Sequence, residues 1–289
     1  MANGYAPNGE MTAHLRDPGP VSMFLFTAFF VYVGWFFFRQ AVAVVLPTEA
    51  ALGQTRLGLA VNLAFFAVLL AFTMRAVEKF HGIVWFRLLG DLHRVVPDFL
   101  RVMGATGAIY AILIFMGWDA AGPTMRPFLG WLLFLPIAII GILIQTGAEE
   151  FFFRGFLHQF CSVYLRKPLL WLLVPSVLFG LSHMFNDTSS VATATAYVVW
   201  AAAFGVACAD LTARTGSLGA AWGFHMTVNV VAMCIATQDG GPMSAAALFI
   251  FPERTDEYVP DGGLIAIATI FELFFLFVLW LAARNALRR

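Results

Sequence analysis

Charged residues are scarce in this chain of 289 residues, because Asp, Glu, Lys and Arg together make up only 12% of it. A soluble globular domain is about a quarter charged, so the composition excludes an ordinary water-soluble domain. The charges also cancel, since 17 Lys and Arg residues stand against 17 Asp and Glu residues. There is no excess of positive charge to neutralise a phosphate backbone, and we predict no nucleic-acid partner.

Cysteine is rare as well, with only Cys161, Cys208 and Cys234 in the chain. They are odd in number, far apart and embedded in apolar stretches, which argues against a disulfide framework or a CxxC metal site. The first twenty residues are polar and lack the basic-then-apolar order of a secretory signal. We predict that residues 1–20 form a flexible, cytoplasmic N-terminal tail.

Hydrophobic residues are abundant, at 61% of the chain, and they cluster in long runs. A transmembrane helix needs about 20 mostly apolar residues. Eight runs meet or approach this length, at 21–46, 57–76, 99–118, 129–164, 168–186, 191–212, 217–236 and 263–283. The sequence therefore predicts an all-α polytopic membrane protein, with about eight transmembrane helices in a single membrane domain over 21–289.

The fourth run is too long for one simple crossing, since 129–164 would extend about 54 Å as a helix. We expect a break or an interfacial piece near Pro136 or Gly141. The loop after the second run is the most basic, and the positive-inside rule makes it cytoplasmic. With an even number of crossings, both termini are then cytoplasmic. In a prokaryote the host membrane would be the cytoplasmic membrane. Arg39, inside the first run, fits neither side.

Ionisable residues inside apolar runs are functional candidates, because an unpaired charge in hydrocarbon is costly. The fourth run contains Glu149, Glu150 and Arg154 between long apolar flanks. Glu150 and Arg154 are one helical turn apart, which predicts an intrahelical ion pair. Glu149 points about 100° away from Glu150 and is free for other work.

Two further helices carry one polar stripe each. The fifth run places Phe179 and His183 at i,i+4 spacing, and the seventh does the same with His225 and Asn229. Because the fourth and fifth runs form a hairpin about Arg166, Glu149 and His183 should lie at the same depth. We expect one intramembrane cavity, open toward the cytoplasm, to hold all these groups.

Two carboxylates, two imidazoles and an amide can activate a water molecule for hydrolysis. We expect Glu149 to be the general base, assisted by His183, while His225 and Asn229 stabilise the oxyanion of a peptide carbonyl. Glu150 and Arg154 would hold the base in place. No serine or cysteine has a comparable setting, so nucleophilic catalysis is the second choice.

The motifs Glu149-Glu150-x-x-x-Arg154, Phe179-x-x-x-His183 and His225-x-x-x-Asn229, in this order on separate helices, resemble the CPBP family of intramembrane endopeptidases. This is the CAAX protease and bacteriocin-processing family, which includes the type II CAAX prenyl proteases. The resemblance covers about 141–231, within the predicted catalytic helices of 129–236. It implies an eight-helix bundle in which Glu149 and His183 activate water and His225 and Asn229 stabilise the oxyanion.

The resemblance also implies a membrane-anchored or lipidated peptide or protein as substrate. Prenylated CAAX tails, C-terminal sorting tails and secreted peptide precursors all stay open. The family has been described both as zinc-dependent and as metal-free. HExxH is absent and asparagine is an uncommon zinc ligand, so we favour a site without a cofactor.

Two other functions are compatible with these residues. A proton-coupled transporter could relay protons through Glu149, His183 and His225, although no internal repeat is seen. A non-catalytic peptide-binding or immunity protein could use the same cavity. Phe151, Phe152 and Phe153 are expected to face lipid or pack in the core, in preference to lining a prenyl pocket.

Overall fold

The computed structural model describes residues 3–15, 17–116, 122–184, 190–252 and 262–288. Almost all regular structure in these ranges is helical. The helices are α1 (Ala6–Met11), α2 (Val21–Val45), α3 (Thr48–Ala51), α4 (Arg56–Ala64), α5 (Phe66–His81), α6 (Leu92–Phe115), α7 (Phe128–Glu150), α8 (Gln159–Leu165), α9 (Pro168–Ser182), α10 (Val191–Thr215), α11 (Gly219–Val230) and α12 (Gly262–Ala286).

Eight helical segments of the described chain are apolar enough to belong in a bilayer. Six are long enough to cross it, namely Val21–Val45, Arg56–His81, Leu92–Phe115, Phe128–Leu165, Val191–Thr215 and Gly262–Ala286. The segments Pro168–Ser182 and Gly219–Ile235 are apolar but shorter. These eight segments coincide with the eight predicted runs, and the all-α polytopic membrane fold is confirmed.

The outer surface of the bundle is apolar, as a lipid-facing surface must be. On α12, for example, Ile270, Phe271 and Phe274 are each about two-thirds exposed, and only Leu276, Leu279 and Ala283 are buried. Moving such a side chain from lipid into the protein interior brings no hydrophobic free energy, so these residues are stable on the lipid-facing surface. The polar residues of the central helices, by contrast, point inward.

The fourth predicted run is one uninterrupted helical segment, so the expected break near Pro136 or Gly141 is wrong. α7 continues through both residues, because a transmembrane helix can accommodate a proline even though proline has no backbone N–H to donate. Gly141 serves a different purpose: a Cβ there would lie 2.8 Å from Leu63 Cδ1 of α4. The irregularity comes later, where Phe151–His158 winds as a π-helix between α7 and α8.

All eight residues of this π-helix are buried. Phe151, Phe152 and Phe153 are no more than 3% exposed, so they pack inside the bundle and do not face lipid. Phe152 and Phe153 also line a cavity, contrary to the expectation that these residues line no pocket. The segment therefore lies in the interior of the bundle. π-helical turns inside α-helices are often found at functional sites.

The N-terminal residues are not a flexible tail. Residues 3–15 form helical turns that pack on the bundle, and the Tyr5 hydroxyl donates to Asp210 Oδ1 at 2.6 Å. Asp210 also accepts from Arg214 Nε at 2.8 Å, as an i,i+4 ion pair on α10. Burial, reinforced by the bond to Asp210, raises the pKa of Tyr5 to about 12. Asn8 lies 3.1 Å from the buried ring of His158.

The bundle has two different ends. At the termini end, the N-terminal helix α1, the Arg166–Lys167 turn and the end of α10 meet, and Gly90 pairs with Ser217. At the sheet end, three short strands pair in the order β1-β3-β2, with β1 and β3 antiparallel and β2 and β3 parallel. The strands are β1 (Thr124–Met125), β2 (Ala236–Gln238) and β3 (Phe249–Phe251).

Close packing of α6 against α11 depends on glycine. A Cβ at Gly223 would lie 2.3 Å from the carbonyl oxygen of Phe99, and one at Gly219 would lie 2.0 Å from that of Val95. Gly104, on α6, has no atom within 4 Å of the position of a Cβ. The two helices can therefore approach only where α11 lacks side chains.

We predict that Gly223→Ala lowers the apparent Tm of the protein in detergent by several degrees, because overpacking costs about 1–3 kcal/mol. The matched control Gly104→Ala should leave the Tm unchanged or raise it slightly, since alanine favours helix over glycine. Scanning fluorimetry measures both. Equal melting temperatures for Gly223→Ala and wild type would contradict this view of the α6–α11 contact.

Candidate active site

A buried ion pair lies at the centre of the site. Arg154 Nη1 donates to Glu150 Oε1 at 2.9 Å, and both side chains are 1% exposed. Arg154 Nη2 donates to the carbonyl oxygen of Gly205 at 3.1 Å, and the guanidinium stacks on the ring of Phe179 at 4.7 Å. The predicted intrahelical pair thus forms, and Arg154 ties α10 and α9 to the central helix.

His225 of α11 lies between the two carboxylates. Its Nδ1 donates to Glu150 Oε1 at 2.8 Å, and its Nε2 is 3.4 Å from Glu149 Oε2. The rings of Phe179 and Phe204 contact the imidazole edge to face, at 5.8 and 5.0 Å. Because Glu150 accepts from Nδ1, it fixes the ring orientation and leaves Nε2 for Glu149 or a ligand.

A second hydrogen-bonded chain reaches the same oxygen of Glu149. Gln145 Nε2 donates to Glu149 Oε2 at 2.8 Å, and Asn229 Nδ2 donates to Gln145 Oε1 at 2.8 Å. The sequence analysis missed Gln145. It lies one helical turn before Glu149 in an apolar run, and this i,i+4 spacing on the carboxylate face was the available signal.

His183 closes the site at the end of α9. Its Nδ1 donates to the carbonyl oxygen of Phe179 at 2.7 Å and lies 3.1 Å from Ser182 Oγ. This bond fixes the tautomer, so that Nε2 carries the lone pair of the neutral ring. The imidazole lies within electrostatic range of Glu149 and of His225. All seven residues named by the sequence analysis are therefore brought together.

A cavity of about 850 Å³ lies next to this cluster, but none of the seven site residues lines it, so the expectation that one cavity holds all these groups is wrong for this cavity. Its inner wall includes Tyr32, Phe153 and Ser182, and Tyr32 lies within electrostatic range of Glu149. Between α2 and α9 the wall residues Phe29, Leu178 and Leu181 are exposed on the bundle surface. The cavity can thus be reached sideways from the lipid phase.

The direction of the cavity differs from the expectation. It runs to Leu46, Thr48 and Leu52 at the sheet end, away from the basic termini end. The termini end is sealed because the N-terminal helix and the 82–91 connection pack across it. This cavity therefore extends toward the end opposite the termini, whereas the sequence analysis expected an opening on the side of the termini.

The residues present do not fit a zinc ion. Within the described ranges, no group of three His, Cys, Asp or Glu side chains is arranged to hold a metal. The Nδ1 atoms of His225 and His183 are bound to Glu150 and to a backbone carbonyl, which leaves the Nε2 atoms as the imidazole donors. With Glu149 they do not form a group of three ligands around one point, and the neighbouring amides of Gln145 and Asn229 are uncommon zinc ligands.

Comparison with known proteins points to one family. The family model described as "Type II CAAX prenyl endopeptidase Rce1-like" matches residues 127–231. This segment belongs to the CPBP (CAAX protease) family. It contains α7 to α11 and every residue of the site, from Gln145 to Asn229.

One curated relative is similar over much the same length as the CPBP segment. It is "Uncharacterized protein YyaK" of Bacillus subtilis (strain 168), 35% identical over 112 residues. The match covers 37% of this chain and 35% of YyaK, so the similarity spans about a third of each protein. No solved structure matches the chain.

We predict that Arg154→Met strongly lowers the apparent Tm, because it leaves the buried Glu150 carboxylate without its guanidinium partner. Breaking a buried pair costs about 3–5 kcal/mol. The double variant Glu150→Gln/Arg154→Met removes that charge and should regain at least half of the lost Tm. Thermal unfolding of the detergent-solubilised protein measures both. A double variant no more stable than Arg154→Met would show that charge pairing is not what Arg154 supplies.

Proposed function

We propose that this protein is an intramembrane endopeptidase that hydrolyses a peptide bond with a water molecule activated by Glu149. The observation that carries the proposal is the convergence of Glu149, His183, His225 and Asn229, from three helices, beside a cavity open to lipid. The CPBP match over the same residues supports it.

The mechanism follows from the hydrogen bonds of each side chain. Glu149 takes a proton from water as the oxygen attacks the carbonyl carbon, and His183 orients the same water through Nε2. The negative charge that develops on the carbonyl oxygen is stabilised by His225 Nε2–H and by the free amide hydrogen of Asn229. Glu149 then delivers its proton to the amide nitrogen that leaves.

The neighbouring residues position the reacting groups. Glu150 and Arg154 hold His225 in place, because Glu150 Oε1 accepts from both. Gln145 holds Glu149 and Asn229 in place, because it donates a hydrogen bond to Glu149 and accepts one from Asn229. No step requires a metal ion or another cofactor.

The substrate that fits this site is a membrane-anchored or lipidated peptide or protein. The gap between α2 and α9 admits a chain held in the bilayer, and the cavity walls are mostly apolar. A prenylated CAAX tail, a sorting tail and a peptide precursor each satisfy these conditions. The bilayer itself is therefore a partner in substrate delivery.

We predict that Glu149→Gln removes a set of new protein termini from membranes of expressing cells. A lost general base lowers the rate by about 10²–10⁴-fold. Asn229→Ala should lower the rate of cleavage by about 10²–10³-fold, because it removes a hydrogen-bond donor to the oxyanion. Mass spectrometry of protein termini identifies the cleavages.

The control for the lost carboxylate is Glu78→Gln, which removes a half-buried carboxylate 3.5 Å from Arg75. It should leave all termini unchanged. Identical sets of termini from wild type and a folded, expressed Glu149→Gln protein would refute the hydrolase proposal.

We also propose that both termini are cytoplasmic, as the basic termini end indicates, so that the cavity faces the opposite side of the membrane. Thr48 is exposed at the sheet end, and His93 is exposed at the termini end. The native cysteines are all buried, which keeps background labelling low.

A membrane-impermeant maleimide should therefore label Thr48→Cys on intact cells. It should label His93→Cys only after permeabilisation. Labelling of His93→Cys alone on intact cells would reverse the proposed orientation.

A further inference from the structure

A small basic pocket lies at the termini end of the bundle, between the ends of α10 and α12. Its volume is about 240 Å³, and its wall consists of Gly4, Arg214, Thr215, Arg284, Leu287 and Arg288. Three of these residues are arginines and none is acidic. The pocket shares no residue with the candidate active site, so it is a separate feature of the molecule.

One buried carboxylate organises the surroundings of the pocket. Asp210 is 5% exposed, and it accepts hydrogen bonds from the Tyr5 hydroxyl at 2.6 Å and from Trp280 Nε1 at 3.1 Å. It also accepts from Arg214 Nε at 2.8 Å. These bonds fix two aromatic rings, one from the N-terminal segment and one from α12, beside the same carboxylate.

Each of the two rings carries an arginine of the pocket. The guanidinium carbon of Arg214 lies 4.8 Å from the centre of the Tyr5 ring, and that of Arg284 lies 4.6 Å from the centre of the Trp280 ring. Stacking on an aromatic face orients a guanidinium and leaves the donors at its edge for another partner. The two arginines are therefore held by rings that Asp210 itself holds.

The positive charge of the pocket exceeds the negative charge beside it. Arg214 pairs with Asp210, whereas neither Arg284 nor Arg288 forms an ion pair with a described carboxylate. Three guanidinium groups against one carboxylate leave an excess of two positive charges. The planar fork of an arginine binds a phosphate group through two parallel hydrogen bonds.

The pocket lies where two membrane-spanning segments end. Arg284 is in the last turn of Gly262–Ala286, and Arg214 is in the last turn of Val191–Thr215. This is the depth at which a bilayer changes from hydrocarbon to phospholipid headgroups. Basic pockets between transmembrane helices bind the headgroups of anionic lipids. Leu287 adds an apolar side to the wall, which suits a ligand with an acyl chain.

We propose that this pocket binds a phosphate group at the membrane boundary, either the headgroup of an anionic phospholipid or a free phosphate. Arg284 and Arg288 would bind the phosphate oxygens, and Arg214 would add the donors that Asp210 leaves free. Because Gly4 is part of the wall, the bound phosphate would also hold the N-terminal segment against α10 and α12. The inference does not depend on the proposed hydrolysis.

Binding of short-chain lipids to the full-length protein in dodecyl maltoside tests the proposal. Native mass spectrometry compares dioctanoyl phosphatidic acid and dioctanoyl phosphatidylglycerol with zwitterionic dioctanoyl phosphatidylcholine. Each anionic lipid should bind at least about 10-fold more tightly than phosphatidylcholine, since one charge-assisted hydrogen bond is worth about this factor.

Variants of the pocket arginines link this preference to the pocket. The double variant Arg284→Gln/Arg288→Gln should abolish the preference, and Arg284→Lys/Arg288→Lys should retain part of it. The matched control is Arg87→Gln, which removes an exposed arginine of the 82–91 connection at the same end of the bundle. It should leave the preference unchanged. Equal melting temperatures of the variants and the wild type show that all are folded.

Inorganic phosphate distinguishes the two sources of the phosphate group. If phosphate raises the Tm of the wild type above that in sulfate of equal ionic strength, and does not do so for Arg284→Gln/Arg288→Gln, the ligand is a free phosphate. If phosphate has no such effect while the anionic lipids bind preferentially, the ligand is a lipid headgroup.

Three outcomes would overturn the proposal. The first is equal binding of anionic and zwitterionic lipids together with no specific effect of phosphate. The second is a preference that persists in Arg284→Gln/Arg288→Gln. The third is an equal loss of preference in Arg87→Gln, which would reduce the effect to general surface charge. None of these outcomes bears on hydrolysis by Glu149, because the pocket and the active site have no residue in common.

Discussion

The ion pair between Glu150 and Arg154 is the interaction on which the rest of the site depends. It lies where the central helix changes from α to π, with protein on all sides, so neither charge can be hydrated by bulk water. The remaining donors of Arg154 reach Gly205 of α10 and the ring of Phe179 on α9. Glu150 uses the same oxygen to orient His225 of α11. One pair thus sets the mutual positions of four helices.

Glu149 and Glu150 are consecutive residues, but their side chains have different contacts because successive residues of a helix point about 100° apart. Glu150 binds Arg154 and His225, while Glu149 contacts Gln145 and the other ring nitrogen of His225. Glu150 therefore holds the neighbouring helices together, and Glu149 is the carboxylate that we propose as the general base. Glycines on α11 complete the arrangement, since they allow α6 to support the helix that carries His225 and Asn229 at short range.

The sequence predicts those features that follow from hydropathy and helical spacing. The eight apolar segments and the Glu150–Arg154 pair are of this kind, because bilayer thickness and the helical repeat fix them locally. The folding of residues 3–15 could not be predicted in this way, since it depends on contacts with Asp210 and His158, which are distant in sequence. The π-helix and the direction of the cavity are likewise products of tertiary packing. Gln145 was within reach of spacing arguments, but a single uncharged residue carries little weight in an apolar run.

The division between matched and unmatched parts of the chain has a physical counterpart. Residues 127–231 contain every group that we assign to the chemistry, and they are the part that resembles the CPBP family. The opposite wall of the cavity comes from α2 and the α2–α4 connection, which lie outside the match. Reacting groups must be held within fractions of an ångström, whereas a cavity wall needs only to complement the tail that it receives. The N-terminal helices therefore supply the part of the cavity wall that is free to differ from the matched segment.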